Sequence, residues 1–152
     1  MKPARFKALT SLGTLQKRNS NLARIELARC LAEEKRIENS IIELKSQMQE
    51  NRILVSKARE EEAQDLTLWN GYRYWLPIAQ EELERLELAL EDARQVSAVA
   101  RNRVMGLVRE QEVTDGLLRH ERLEQAQRIQ QQEQMSLDER AQHQKSLERL
   151  EV

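Results

Sequence analysis

At 152 residues the chain has the length of one ordinary domain, but charged residues make up 34% of it, aromatics only 3%, and it has four glycines and two prolines. That excludes an ordinary globular core, which needs more aromatic and β-branched side chains and loops rich in turn formers, and the net charge of −1 gives no global pull towards nucleic acid. Ala, Glu, Leu, Gln and Arg predominate, all good helix formers, so the composition points to elongated α-helical structure of coiled-coil type. Plain disorder is the rival for so polar a chain, and the spacing of the apolar residues weighs against it.

Residues 1–8 read as a lead-in, because Pro3 fits poorly inside a helix. Leu9, Leu12, Leu15 and Leu22 then begin an apolar stripe, with Thr10 or Ser11 available as a cap. Its phase is untidy near Asn19. From Cys30 the spacing settles into Glu34, Ile37, Ile41, Leu44, Met48, Asn51, Val55, Ala58, Glu62 and Asp65, in steps of three and four. This is the a/d seam of a coiled coil. It turns polar at Glu62 and Asp65, where the first helix is expected to end. Cys30 is the only cysteine. On the seam it reads as a buried thiol, and a lone cysteine suits a reducing compartment.

Both tryptophans, both tyrosines, the internal proline and the Asn-Gly pair fall in one stretch, Leu68-Trp69-Asn70-Gly71-Tyr72-Arg73-Tyr74-Trp75-Leu76-Pro77. A second seam runs straight through it: Trp69, Tyr72, Leu76, Ala79, Leu83, Leu86, Leu90, Ala93, Ser97, Ala100, Val104, Leu107, Gln111, Thr114 and Leu118. Chance does not hold a phase for seven heptads. Beyond Leu118 the seam decays into Glu121, Gln125 and Arg128, and residues 124–134 offer nothing to bury. Pro77 leaves two readings open. A helix starting at Leu76 or Pro77 has its proline in the favoured first turn. One starting at Leu66 to Trp69 must tolerate a proline inside it, and the unbroken seam favours this early start. Trp69 and Tyr72 then serve packing, while Tyr74 and Trp75, off the seam, form a surface.

Two amphipathic helices on either side of a turn predict an all-α fold, a long antiparallel two-helix coiled-coil hairpin whose second helix is the longer. The expected bounds are about 9–63 for the first helix, about 64–69 for the turn and about 69–147 for the second helix, its C-terminal part polar. The core is read as Ile37, Ile41, Leu44 and Met48 against Leu83, Leu86, Leu90, Ala93, Ala100, Val104 and Leu107. This turn would set Leu44 near Leu90 and Ala93, and Ile37 near Ala100. The second helix would span roughly 120 Å if straight, and such a rod has no cavity for a substrate.

No motif carries catalysis. The glycines at 13, 71, 106 and 116 are scattered, so no phosphate loop is present. His120-Glu121 opens like a zinc-protease motif, but Glu124 stands where the second histidine is required. The glutamate pairs and triplets read as solvated helix faces. No enzyme activity, cofactor or metal is expected, and no apolar run approaches the ~18 residues of a membrane span. Without an apolar signal region at the N-terminus, a cytoplasmic protein is the default. The charge is polarised along the chain. Before Glu26 there are only basic residues, Lys2, Arg5, Lys7, Lys17, Arg18 and Arg24, whereas between Glu60 and Asp92 ten acidic residues stand against Arg73 and Arg85. A sparse basic arm of this kind suits an acidic protein surface better than nucleic acid.

Trp69-x-x-Tyr72-x-x-Trp75-Leu76 resembles the W-x-x-Y-x-x-F-I segment that opens the second helix of FliJ-type proteins. These are two-helix coiled coils of flagellar type III export, with YscO-class counterparts in virulence or symbiosis secretion systems. The basic start, the longer polar second arm and Asp138-Glu139-x-Ala141-Gln142 are similar too. The resemblance covers most of the chain in architecture and about eight residues in motif. It implies a non-catalytic cytoplasmic stalk beside the membrane-embedded export apparatus, inserted into the hexameric export ATPase and touching the cytoplasmic domain of the export gate. That would couple ATP hydrolysis to protein export, and some members also handle export chaperones. Carried over, the gate-binding positions are Trp75, Ala79, Glu82 and Leu86, with Tyr74 beside them. Trp75 replaces a phenylalanine conservatively, whereas Glu82 and Leu86 depart in type from a small residue and a histidine. The family's polar, glycine-containing loop is also missing, which leans towards the secretion-system branch. The ring-binding end would be the basic segment with Arg5, Lys7, Lys17, Arg18 and Arg24. The alternative class is a structural or regulatory coiled coil that homodimerises through the same seams.

Overall fold

The structure, a computed structural model, describes residues 3–61 and 66–151. They form two helices, α1 (Pro3–Glu60, 58 residues) and α2 (Leu66–Leu150, 85 residues), with no strand among the described residues. The two helices pack against each other as the expected all-α hairpin with the longer second helix. The expected polar end of the first seam at Glu62 and Asp65, and residues 64–65 of the expected turn, lie outside the described residues.

Both helices start earlier than the sequence suggests. Pro3 opens α1 instead of delaying it, because a proline in the first turn lacks only an N–H that has no helical partner there. Residues 66–69, expected in the turn, are the first turn of α2, and Pro77 lies inside that helix. Its missing N–H leaves the Arg73 carbonyl without the usual helical donor. At the other helix end, Glu61 N–H donates to the Lys57 carbonyl at 3.2 Å. Lys57 and Arg59 sit in the last turn of α1, where positive charge complements the helix dipole.

The chain divides into two compact units, one of Asn21–Met105 and one of Met1–Ser20 with Gly106–Val152. In the first, the seam is apolar. Ile37, Ile41, Val55 and Ala79 are buried, while Leu44, Met48, Leu83, Leu86, Leu90, Ala93, Ala100 and Val104 are half-buried at their seam positions. Each buried isoleucine contributes about 1.5–3 kcal/mol through removal of its side chain from water. Cys30 is buried on the same seam.

The register differs from the expected one. Arg94 and Glu38 approach to 3.8 Å, Lys45 and Met48 line one groove with Tyr72, Leu76 and Leu83, and Cys30 and Glu33 line another with Ala93 and Val96. Ala93 therefore lies beside Cys30 and Glu33, not opposite Leu44, and Ile37 lies short of Ala100. Because α2 begins at Leu66, the reversal is centred upstream of the expected turn. Each residue of upstream shift in an antiparallel pair moves the opposed positions by two.

In the second unit the seam consists of Leu9, Gly13, Gln16 and Ser20 from α1 and Leu107, Gln111, Thr114, Leu118 and Glu121 from α2, all buried or half-buried. The phase of three and four thus runs back from Cys30 to Leu9 without a break, through small and polar residues. The expected N-terminal stripe holds only at Leu9, since Leu12, Leu15 and Leu22 are exposed. They stand one position before Gly13, Gln16 and Ala23, whose small or polar side chains face α2. A Cβ on Gly13 would lie 3.6 Å from both Leu118 Cδ1 and Thr114 Cγ2, so the helices approach closely there. From residue 125 to residue 151 every residue is exposed.

Candidate docking site at the start of the second helix

Trp69, Tyr72 and Trp75 follow one another every third residue on α2, and their rings form a ladder. The Trp69 and Tyr72 centroids are 6.4 Å apart and those of Tyr72 and Trp75 6.2 Å, with tilted planes. Both separations lie in the favourable range for offset aromatic pairs. The Arg59 guanidinium, from the last turn of α1, covers the Trp69 ring at 4.3 Å. Trp69 and Tyr72 are thus committed to packing.

Trp75 is half-buried, one step off the seam. Together with Asn51, Leu54, Val55, Leu68 and Gly71 it lines an open, mostly apolar cavity of about 390 Å³. Gly71 sits inside a helix, where glycine costs about 1 kcal/mol relative to alanine. A Cβ there would meet nothing within 4 Å, so internal packing does not require the glycine. Beside the cavity Tyr74 is 80% exposed and Ile78 66%. Leu68, Gly71, Trp75 and Ile78 fall in steps of three, four and three, which makes a second stripe next to the seam and leaves it facing outward.

Glu82 closes this stripe. It accepts two hydrogen bonds from Arg85, from Nε at 2.8 Å and from Nη2. These bonds hold the Glu82 carboxyl below its ordinary value and the Arg85 guanidinium above its own. The Glu33–Arg36 pair on α1 repeats this arrangement, with bonds of 3.0 and 2.6 Å and the same directions of shift.

The five residues carried over by resemblance do not all reach this surface. Tyr74 and Trp75 do, and Glu82 borders it. Ala79 is 3% exposed, buried in the helix–helix seam, and Leu86 is half-buried there. A residue on the seam faces α1, so Ala79 and Leu86 point away from the surface that Tyr74 and Trp75 share. Leu54, Leu68 and Gly71 line the cavity with Trp75 instead, and Ile78 is exposed beside it; none of the four is among the positions carried over by resemblance. The signal for three of them was present in the steps of three and four through residues 68–78, parallel to the seam. Leu54 belongs to the other helix and needs the register to be placed.

The basic residues Arg5, Lys7, Lys17, Arg18 and Arg24 are all exposed on α1. His120 is exposed and lies 3.1 Å from Glu124 as an i,i+4 pair. Among the described residues no three His, Cys, Asp or Glu side chains are grouped as metal ligands, and no helix is long and apolar enough to cross a membrane. Comparison with protein-family models, with curated proteins and with solved structures gives no match.

Proposed function

We propose that the chain is a non-catalytic stalk component of a type III protein export apparatus, of the FliJ/YscO kind. In this reading it works in the cytoplasm beside the membrane-embedded machinery. The unit that contains both chain ends, with Arg5, Lys7, Lys17 and Arg18, enters the hexameric export ATPase. The start of α2 contacts the cytoplasmic domain of the export gate, and export chaperones are further partners. The stalk promotes ring assembly and couples ATP turnover to gate opening without itself reacting.

The observation that carries this reading is the aromatic ladder. The motif Trp69-x-x-Tyr72-x-x-Trp75 opens the longer helix of a two-helix hairpin, anchored at Trp69 and Tyr72, with Trp75 half-buried off the seam and Tyr74 exposed beside it. Rigid aromatics standing partly out of a helix are strong anchors for protein partners. The test is to mix the purified chain with the export ATPase of the same organism and follow hexamer formation and ATP hydrolysis. Both should rise. If neither changes, the reading fails.

A second reading, a homodimeric structural or regulatory coiled coil, is favoured by one observation. In the unit of the chain ends, Leu12 and Leu15 on α1 and Val113 and Leu117 on α2 are exposed. Sedimentation equilibrium separates the two. A stalk sediments as a folded monomer, whereas the dimer dissociates on dilution.

A further inference from the structure

The unit of Met1–Ser20 and Gly106–Val152 is held by a seam short of apolar surface. Of its inward positions only Leu9, Leu107 and Leu118 are large and apolar, and the others are Gly13 and five polar side chains. Ser20 is fully buried and its hydroxyl has no hydrogen-bond partner; the buried Oε1 of Gln16 has none either. Such a group gives up its bond to water on burial and regains it when the helices part. Thr114 donates its hydroxyl to the Glu110 carbonyl, within α2, so it adds nothing across the seam. The helices themselves are weak here. The first turn of α1 has no acidic residue, while Arg5 and Lys7 stand near its N-terminus, where the helix dipole disfavours positive charge. Thr10 and Thr14 bond back to the Phe6 and Thr10 carbonyls, a pattern that slightly destabilises a helix. On α2 a Cβ at Gly106 or Gly116 would meet nothing within 4 Å, so both glycines weaken the helix without tightening its packing. Charge does attract: Arg5, Lys7, Lys17 and Arg18 on α1 meet an α2 segment, residues 106–124, with five acidic residues against three basic ones. Between mostly exposed groups this attraction is screened by salt. The unit Asn21–Met105 also buries an unpartnered serine hydroxyl, Ser97, but its seam holds Ile37, Ile41 and Val55, all buried.

Local stability follows apolar burial, so the two units open at different free energies. We propose that the unit of the chain ends is a detachable strap, in which residues 3–20 of α1 part from α2 as one cooperative piece while Asn21–Met105 stays paired. Parting rehydrates Gln16 and Ser20 and gives up the burial of only three large apolar side chains. Once detached, so short a stretch is marginal as a helix, so separation and unwinding go together. Parting also uncovers Leu9, Leu107 and Leu118, which are buried or half-buried in the closed form. A partner that uses these side chains meets only the opened fraction of the chain, and its apparent affinity falls by that fraction. The strap therefore gates its own seam. This inference goes beyond the stalk reading and does not rest on it.

The test is amide hydrogen exchange of the full chain without denaturant, read by mass spectrometry. After correction for intrinsic rates, residues 9–20 and 107–121 should exchange at matching rates, at least about a hundredfold faster than residues 37–55 and 79–104. Gln16→Leu keeps the side-chain volume and removes the buried amide. It and Ser20→Ala should each slow both fast segments by about fivefold or more. Ser97→Ala, in the other unit, should leave the fast segments as they are in the parent. Fast exchange on α1 alone, with residues 107–121 as protected as residues 79–104, would be ordinary fraying of a helix end and overturns the proposal. So does exchange of the fast segments unchanged in both Gln16→Leu and Ser20→Ala. If Ser97→Ala slows those segments as much as Ser20→Ala does, the two units open together and there is no separate strap. No ATPase takes part, so each outcome is distinct from those of the ring experiment.

Discussion

The guanidinium of Arg59 lies 4.3 Å from the centre of the Trp69 ring, which ties the last turn of α1 to the first turn of α2. The contact fixes where the two helices meet on either side of the turn, and with it the register of the unit they share. Arg59→Gln keeps the length of the side chain and removes the cation. It is expected to cost about 0.5–1 kcal/mol, the usual worth of such a contact near the surface, seen as a lowered thermal midpoint by circular dichroism. Arg59→Lys should retain part of the stability. A midpoint unchanged in Arg59→Gln would mean that the contact contributes nothing.

The phase of the N-terminal seam can be tested by a contrast of two truncations. Ile41 is 8% exposed on the seam, and Ile41→Ala should cost about 2–4 kcal/mol, from lost burial and the cavity left behind. Leu15 is 53% exposed, and Leu15→Ala should change stability by no more than about 0.5 kcal/mol. Urea unfolding of both variants decides the point. A large loss at Leu15 would return the stripe to Leu12, Leu15 and Leu22.

Where large apolar residues recur often enough along the seam, from Ile37 to Met48 and from Trp69 to Leu118, its phase was legible in the sequence. The helical hairpin follows from those two runs alone. Between Leu9 and Ala23 the inward positions are Gly13, Gln16 and Ser20, and no hydrophobicity pattern marks a glycine or a serine as inward. Leucines one position away at 12, 15 and 22 supplied a stronger and misleading signal. Ala79 shows the limit of a carried-over motif. Its own heptad position already placed it in the seam, and the structure keeps it there. The groove was the least legible feature, because Leu54 comes from α1 and joins Gly71 and Trp75 only through a register that depends on where the turn lies.

Two serines report on how tightly the seam is packed. Ser20 and Ser97 are essentially inaccessible, and their hydroxyl oxygens have no hydrogen-bond partner. A buried hydroxyl left unsatisfied costs about 1–3 kcal/mol, and alanine is also the better helix former. Ser97→Ala and Ser20→Ala are each expected to stabilise the chain by about 1 kcal/mol, raising the urea midpoint with the slope unchanged. Destabilisation by either change would show that its hydroxyl is satisfied in solution.

The Glu82–Arg85 pair makes α2 responsive to pH near its start. Arg85 bonds the Glu82 carboxylate and holds it below its ordinary value of 4.5. A carboxyl depressed in the folded state contributes stability that is present above the ordinary value and lost as pH falls through the lowered one. The pair is open to solvent, so the effect on stability is small and the direct readout is titration. Followed by carbon-13 NMR of the side-chain carboxyl, Glu82 should titrate below 4.5 in the parent chain and move up towards that value in Arg85→Gln. A Glu82 titration unmoved by Arg85→Gln would show that the hydrogen bonds do not persist in solution.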